Sequence, residues 1–346
     1  MSVRNEINDL MTRVAKEIVG QSDIVQALII GMLTNGNLLV EGLPGLAKTR
    51  AVRALASNLE CDFSRIQFTP DITSPDITGR EVYYKSQTNG EEQGMFKFEP
   101  GPIFANLVLA DEINRAPPKS QNAMLEAMEE RQVTAAGKSH KMPDLFMVMA
   151  TMNPSTQQGT FAMPEAQMDR FLMKVYVDYP KEEAEVEIIR LIRQEQSQKT
   201  RLKSDAQKKA EKIKMPQQTI FDARSEIDIV TVPPEVERYI VDLIFATRYP
   251  ARYTYELRSF IAPNGGASPR ASLALDRTSR TAAWLDGRDV VTVDDVQKMA
   301  FPVLRHRIIR GERAVEHRVT PDEIIGEMLE LVPAPGKEMK YKGKVK

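Results

Sequence analysis

Lys48 and Thr49 end a glycine-containing loop in the segment VEGLPGLAKTR, which runs from Val40 to Arg50. An apolar run precedes the loop, and a helix-forming segment follows it. Backbone N–H groups of such a loop can surround a triphosphate, while the lysine ammonium contacts the β- and γ-phosphate oxygens and the threonine hydroxyl ligates Mg²⁺. The segment therefore predicts a phosphate-binding loop that uses ATP and Mg²⁺.

The predicted nucleotide contacts of this loop comprise its turn residues and the start of the following helix: Gly42, Pro44, Gly45, Leu46, Ala47, Lys48, Thr49 and Arg50. Ala47 occupies the position of the last glycine in the usual pattern, and alanine fits there only if its φ angle stays negative. Taken alone, the segment is also compatible with an ordinary glycine turn before a helix. Motifs further along the chain are needed to decide between the two.

Two carboxylates, Asp111 and Glu112, end the apolar run LVLADE. In a parallel α/β sheet, this strand end lies beside the phosphate loop, at the edge where ligands bind. Asp111 is then placed to join Thr49 in holding Mg²⁺, partly through water, and Glu112 to activate a water molecule for attack on the γ-phosphate. The alternative is an Asp-Glu pair that only ends a strand and caps the next helix, and the presence of the loop makes it the weaker interpretation.

Asn153 ends a third apolar run, FMVMATMNP. Its amide has both a donor and an acceptor, so it can contact the γ-phosphate and orient the attacking water without adding charge. On its own, Asn153 before a proline would favour a plain turn. Its place after the loop and the carboxylate pair favours a catalytic role.

Two arginines have positions that suit phosphate contacts. Arg170, in PEAQMDRF, follows a helix-like segment near the sheet edge, where it is better placed to reach a neighbouring subunit than its own nucleotide. Arg270, in GASPRAS, lies in the first turn of a helix begun by Ser268 and Pro269. A helix N-terminus favours anions, so a phosphate opposite Arg270 would account for a guanidinium there. The alternative for each arginine is a surface ion pair.

The elements that must position these residues alternate strand-like and helical patterns up to about residue 180, which predicts a parallel sheet covered on both faces. The predicted strands are Asn37 to Glu41, Ser64 to Phe68, Asn106 to Ala110, Phe146 to Thr151 and Leu172 to Val177. The turn-rich stretch from Thr69 to Ile103 is too long for a simple connection and is predicted to be an insertion.

The second part of the chain is predicted to be all-helical. Gln, Lys, Ser and Ala dominate from Glu195 to Met215, as is typical of a solvated helix or linker. Helices are predicted over Pro234 to Thr247, from Ser268 to Gly287, and from Thr292 onward. The predicted division is an α/β core at 1–194, a connection at 195–230, a helical domain at 231–335 and a flexible tail at 336–346.

Composition excludes several classes of protein. The chain has 346 residues, 42% of them hydrophobic, and its 47 basic and 48 acidic residues leave no overall charge to attract nucleic acid or membrane. A single cysteine, Cys61, rules out an internal disulfide, and the three histidines form no zinc-ligand spacing. The polar N-terminus and the absence of a long apolar run predict a cytoplasmic protein without direct membrane insertion.

Together the motifs strongly resemble the AAA+ ATPases and, within them, the MoxR family. The segments that carry the resemblance are IVGQ at 18–21, GLPGLAKT at 42–49, TGREV at 78–82, FEPGPIFANLVLADEINRAPPKSQNAMLEAMEERQVT at 98–134, ATMNP at 150–154, PEAQMDRF at 164–171, GASPRASLAL at 266–275, and then DGRDVVTVDDV and PVLRHR. The resemblance covers nearly the whole chain. The family also has alanine at the position of Ala47.

The resemblance implies an αβα nucleotide-binding domain followed by a helical lid, in a hexameric ring with ATP at the subunit contacts. Lys48 and Thr49 would be Walker A, Asp111 and Glu112 Walker B, Asn153 sensor 1, Arg170 the arginine finger, and Arg270 sensor 2, as those motifs are named in this family. Val19 and Gly20 would contact adenine. The insertion before Ile103 and a hairpin over Arg131 to Lys141 would face the central pore, and the partners would be a protein client and a von Willebrand factor A domain protein.

Other functions remain open at the level of sequence. A nucleotide-switched scaffold with little hydrolysis would bind ATP without needing Glu112, Asn153 and Arg170, so the presence of these residues argues against it. A motor acting on DNA lacks a visible basic, aromatic face, and a GTPase lacks an NKxD-type guanine-binding motif. The interpretation that these residues favour is ATP-driven remodelling of partner proteins.

Overall fold

The computed structural model describes residues 2–42, 48–88, 91–135, 137–153, 159–204 and 214–336. Its strands are β1 (Leu38–Gly42), β2 (Phe63–Gln67), β3 (Gly79–Thr88), β4 (Glu91–Pro100), β5 (Leu107–Asp111), β6 (Gln132–Ala135), β7 (Lys138–Lys141), β8 (Met147–Met152) and β9 (Met173–Val177). Its α-helices are α1 (Val3–Glu17), α2 (Ser22–Leu33), α3 (Lys48–Asn58), α4 (Ser74–Thr78), α5 (Pro118–Glu130), α6 (Glu165–Met168), α7 (Glu182–Ser204), α8 (Gln217–Asp228), α9 (Pro234–Arg248), α10 (Tyr255–Phe260), α11 (Pro269–Leu285), α12 (Val293–Leu304), α13 (Glu312–Glu316) and α14 (Pro321–Leu331).

A five-stranded parallel sheet in the order β2-β5-β8-β1-β9 forms the centre of the first domain. All six residues of β8 are buried, because helices cover both faces of this sheet. Leu38 and Val40 face one hydrophobic cluster, and Leu39 between them faces another. The predicted fold class is confirmed, and each of the five predicted strands lies within one residue of the observed one.

The insertion and the predicted hairpin both form antiparallel pairs. Strands β3 and β4 pair over their whole length after the short helix α4, and β6 pairs with β7 within 131–141. Gly79 closes the first pair, with φ +96°, and a Cβ there would lie 2.2 Å from the backbone oxygen of Glu99. Whether either hairpin faces a pore stays a prediction.

The helical part packs on the sheet domain without a break in the hydrophobic core. Helix α8 buries Ile220, Ala223 and Ile227 in the same cluster as residues of α1 and α2. Residues 217–228 of the predicted connection therefore form a helix with one buried face, because their apolar residues recur at helical spacing beside α1. Residues 205–213 of that connection and 337–346 of the predicted tail lie outside the described ranges. Among the described residues, no helix is both long and apolar enough to cross a membrane.

Candidate functional site

Three neighbouring strands bring the predicted catalytic residues together. Lys48 follows β1, Asp111 and Glu112 end β5, and Asn153 follows β8, which lies between the other two strands. Because all three strands are parallel, these residues emerge at the same, carboxyl edge of the sheet, where open α/β sheets bind ligands. The sheet order therefore assembles one polar site from three segments that are distant in sequence.

Lys48 is the first residue of α3 and is 8% exposed. Its Nζ donates a hydrogen bond of 2.6 Å to the backbone oxygen of Gly42. Burial lowers the pKa of the Lys48 ammonium, and the negative charges of Asp111, Glu112 and Glu41 oppose that shift. The ammonium is thus held close to the carboxylates of Asp111 and Glu112.

The loop before Lys48 is only partly described. Pro44, Gly45, Leu46 and Ala47 lie outside the described residues. Gly42 is described, and a Cβ added there would lie 2.4 Å from the carbonyl oxygen of Val177, so only glycine fits where β1 passes β9 into the loop.

The two residues after Lys48 lie in the first turn of α3. Thr49 is partly buried. Arg50 Nε donates to the backbone oxygen of Glu17 at 2.7 Å, so this side chain holds α3 against the end of α1 instead of joining the carboxylates as a nucleotide contact. The nucleotide contact of Arg50 stays a prediction.

Asp111 accepts hydrogen bonds at both carboxylate oxygens. The Thr151 hydroxyl donates to Oδ1 at 2.7 Å, and Arg65 donates to Oδ2 from Nη2 at 2.6 Å and from Nε at 3.1 Å. These donors fix the orientation of the carboxylate. Hard oxygen ligands of this kind, from Asp111 and from Thr49 in the first turn of α3, suit Mg²⁺.

Glu112 adopts the left-handed backbone conformation, with φ 56° and ψ 47°. Its backbone N–H donates to the Thr151 hydroxyl at 2.8 Å, which offsets part of the cost of this conformation. Its carboxylate accepts from Arg115 at 2.9 Å, from Gln67 at 3.3 Å and from the Asn153 amide at 3.3 Å. Glu112 and Asn153 are therefore close enough to share one water molecule.

Asn153 is 5% exposed and is oriented by a second asparagine, Asn114. The Asn114 amide donates to the backbone oxygen of Asn153 at 3.1 Å, and the Asn153 N–H donates to Asn114 Oδ1 at 3.3 Å. This reciprocal pair holds the end of β8 against the turn that follows Glu112.

The predicted adenine contacts lie near the same edge of the sheet. Val19 and Gly20 follow α1, and Gln21 Nε2 donates to the backbone oxygen of Asp178, just past the carboxyl end of β9, at 3.2 Å. Gly20 has φ +75°, and a Cβ there would lie 2.7 Å from the Cβ of Ala184. A close approach of this turn to α7 therefore requires glycine.

Arg170 and Arg270 lie at the other edge of the sheet. Both line a cleft of about 320 Å³ together with residues that precede β1 and β9, Asn35 to Asn37 and Phe171 to Leu172. The five residues of β1 separate that edge from Lys48 by roughly 16 Å. Arg270 therefore lies at the edge of the sheet opposite Lys48, and its predicted contact with a nucleotide stays a prediction.

The sequence interpretation missed the residues that orient this site. Thr151 bridges Asp111 and Glu112, and Asn114 orients Asn153. Both are buried polar residues in apolar surroundings, and such residues are normally hydrogen-bonded. A polar residue inside the otherwise apolar run FMVMATM was the available signal for Thr151.

Comparison with known proteins agrees with this geometry. Residues 37–173 match the family model described as ATPase family associated with various cellular activities (AAA), and residues 256–328 match an AAA lid domain. Chaperone MoxR1 of Mycobacterium tuberculosis is 39% identical over 323 residues, which are 93% of this chain and 80% of that protein. Protein MoxR of Methylorubrum extorquens is 30% identical over 337 residues, which are 93% of each chain.

The chain belongs to the MoxR family of AAA+ ATPases. A crystal structure of a candidate ATPase from Cytophaga hutchinsonii is similar to it, with a TM-score of 0.82 and 38% sequence identity, and covers 96% of this chain and 95% of that one. Because that likeness extends over the sheet and the helical part alike, the MoxR-type arrangement of α/β domain and lid is confirmed.

Proposed function

We propose that this MoxR-family chain hydrolyses ATP, with Mg²⁺, in a ring of six subunits, and uses the reaction to remodel or mature partner proteins. The observation that carries this proposal is the convergence of Lys48, Asp111, Glu112 and Asn153 at the carboxyl edge of three adjacent strands. A buried cation, two oriented carboxylates and a fixed amide are the groups that phosphoryl transfer to water requires.

Each group at this edge has a distinct role in the proposed reaction. Lys48 neutralises the β- and γ-phosphates, and the oxygens of Thr49 and Asp111 hold Mg²⁺, which supplies further positive charge at the phosphates when bound. Glu112 accepts the proton of the attacking water, and the Asn153 amide orients that water beside it. The Thr151 hydroxyl keeps the two carboxylates in their relative positions.

The positions of two arginines support a ring in which each active site is shared between adjacent subunits. Arg170 and Arg270 lie at the amino edge of the sheet, which supports a role for them at the nucleotide of a neighbouring subunit. Five arginines and two carboxylates line their cleft, and the remaining positive charge favours a polyphosphate. Each active site is then completed by the adjacent chain.

The partners are proposed from the family. The relative from Mycobacterium tuberculosis is described as a chaperone, which supports a protein client for this chain, and we extend the proposal to a von Willebrand factor A domain partner in the cytoplasm. A formal net charge of −1 argues against non-specific binding of nucleic acid.

A Glu112→Gln variant tests the chemistry. Because the amide keeps the shape of the carboxylate but cannot accept the proton, we expect kcat to fall by about 10² or more while the Kd of MgATP changes little. Glu130→Gln, at an exposed position on α5, is the control and should keep the parental rate. Parental turnover in Glu112→Gln would refute the role of Glu112. MgATP binding without turnover in the parent would favour a nucleotide-switched scaffold.

An Arg170→Ala variant tests the shared site. We expect a loss of about 10³-fold in kcat. Mixing Arg170→Ala with Glu112→Gln should restore part of the rate, because the Glu112→Gln subunits still supply an intact arginine to the intact sites of their neighbours. Light scattering with and without MgATP reports the number of subunits. An Arg170→Ala protein with the parental rate would contradict the shared site.

A further inference from the structure

Glu129, in the last turn of α5, contacts both arginines of the cleft. Its Oε2 lies 3.1 Å from Arg170 Nε, and its Oε1 accepts a hydrogen bond from Arg270 Nη2. Arg170 belongs to the α/β domain, and Arg270 begins the lid helix α11. One carboxylate therefore links the arginine finger to the lid arginine.

The other carboxylate of the cleft, Asp169, is already engaged. Its Oδ1 accepts from Arg307 Nε at 2.8 Å, its Oδ2 accepts from the Ser268 hydroxyl at 2.8 Å, and Arg270 Nη1 lies 3.7 Å away. Arg307 is 7% exposed and also donates to the backbone oxygens of Phe171 and Leu172. Asp169 thus fixes the start of α11 to the sheet domain, and within the described ranges Glu129 is the acidic residue that pairs with Arg170.

The Glu129 contacts are partly accessible to solvent, and the Arg270 side chain is the more exposed of the two arginines, at 47%. The side chains of Arg170 and Glu129 are each 32% exposed, so their ion pair is partly shielded from water. The contact between Glu129 and Arg170 Nε is an ion pair without the alignment of a hydrogen bond, and Nε itself is buried. A free arginine carries about 2 kcal/mol of rotamer entropy, and Glu129 removes part of that freedom before the neighbouring subunit arrives.

Helix α5 gives Glu129 a firm base. The amino end of α5 follows the turn after Glu112. Gln167 of α6, which precedes Asp169 by two residues, donates a hydrogen bond to Asn122 of α5 at 2.7 Å. This hydrogen bond connects the helix that carries Glu129 to the segment that carries Arg170.

We propose that Glu129 is a positioning residue that holds Arg170 and Arg270 as one two-arginine unit for the nucleotide of the adjacent subunit. This inference rests on the proposed ATPase. Glu129 itself does not contact the nucleotide. It sets the direction of both guanidinium groups, so its effect appears at the neighbour's site and leaves the phosphate loop of its own chain unaffected.

The test is Glu129→Gln, which keeps the shape and removes the charge, with Glu130→Gln as the matched control one residue further on. Within the described part of the chain, Glu130 is exposed and has no ion-pair partner. Because small displacements of a reacting group can cost about 10²-fold, we expect Glu129→Gln to lower kcat by roughly 10- to 100-fold. The Kd of MgATP should stay within about 2-fold of the parental value, since the arginines do not form the phosphate loop.

Mixed rings separate positioning from a structural defect. Glu129→Gln subunits have an intact Glu112, and Glu112→Gln subunits have an intact arginine unit. Equimolar mixing of the two should therefore raise the rate above that of either protein alone. A structural or same-chain role for Glu129 would give no such recovery.

The outcomes also separate this inference from the proposed function. If Arg170→Ala loses activity and recovers on mixing while Glu129→Gln turns over ATP at the parental rate, only the positioning role fails. If Arg170→Ala keeps the parental rate, the shared site itself fails. A Glu129→Gln protein with a higher kcat than the parent would also overturn the inference, because Glu129 would then hold the arginines away from their productive position. Failure of the mixed proteins to recover activity or to assemble would overturn it too.

Discussion

Replacement of Thr151 by valine removes one hydroxyl that hydrogen-bonds to both Asp111 and Glu112. Thr151 Oγ1 donates to Asp111 at 2.7 Å and accepts from the N–H of Glu112 at 2.8 Å. Valine keeps the volume, so the change is confined to these two hydrogen bonds. Glu112, already in the left-handed region, loses the partner that stabilises its backbone there.

The magnitude follows from the two bonds. A hydrogen bond to a charged group contributes about 1.5 to 3 kcal/mol, and an unsatisfied buried N–H costs about 1 to 3 kcal/mol. Because Asp111 keeps its contacts with Arg65, we expect the lower part of the combined range, a loss of about 2.5 to 4 kcal/mol in the free energy of unfolding. A displaced Glu112 should also lower kcat by about 10-fold or more.

Urea denaturation and steady-state ATP turnover measure the two effects. Thr151→Ser is the matched control, because it keeps the hydroxyl and loses only a methyl group, and it should cost about 1 kcal/mol and retain most of the activity. If Thr151→Val and Thr151→Ser were equally stable and equally active, the bridging role of the hydroxyl would be refuted.

Two further predictions concern stability at low pH and the entry to the phosphate loop. Burial holds the pKa of His306 well below its usual range, so below about pH 6.5 the unfolded chain binds a proton that the folded chain does not. The free energy of unfolding of the parent should therefore fall by up to about 1.4 kcal/mol per pH unit below 6.5, relative to that of His306→Asn. Urea denaturation of both proteins at pH 7.5 and 5.5 measures this difference. An equal change in the free energy of unfolding of the two proteins between these pH values would contradict the prediction. In Gly42→Ala, the added Cβ would meet the oxygen of Val177, so we expect MgATP affinity to fall about 10-fold by calorimetry. Gly326→Ala, where a Cβ meets nothing within 4 Å, should keep it, and equal affinities in the two variants would contradict the steric argument.

The strands and the carboxylate pair could be predicted because their signals are local. Each strand of the central sheet is a short apolar run, and a polar residue at its end must lie at the ligand-binding edge once the strands are parallel. Asp111, Glu112 and Asn153 follow from that rule alone. The start of α11 also follows from sequence, since Ser268 caps the helix by accepting from the N–H of Arg270.

Contacts between distant segments could not be predicted in the same way. Thr151 is one polar residue inside a buried strand, and only the register of β5 beside β8 shows that it faces Asp111. Helix α8 follows a lysine-rich stretch whose composition is typical of a linker, but its own apolar residues are buried beside α1.

The sequence by itself determined the family, the parallel sheet and the residues predicted to surround the phosphates, because these depend on short motifs and on strand ends. Only the tertiary structure decided that Arg170 and Arg270 meet at Glu129, on the edge of the sheet opposite Lys48. The physical reason is packing: the lid shares one hydrophobic cluster with α1 and α2, and that burial fixes the end of α11 at a place that no local pattern specifies.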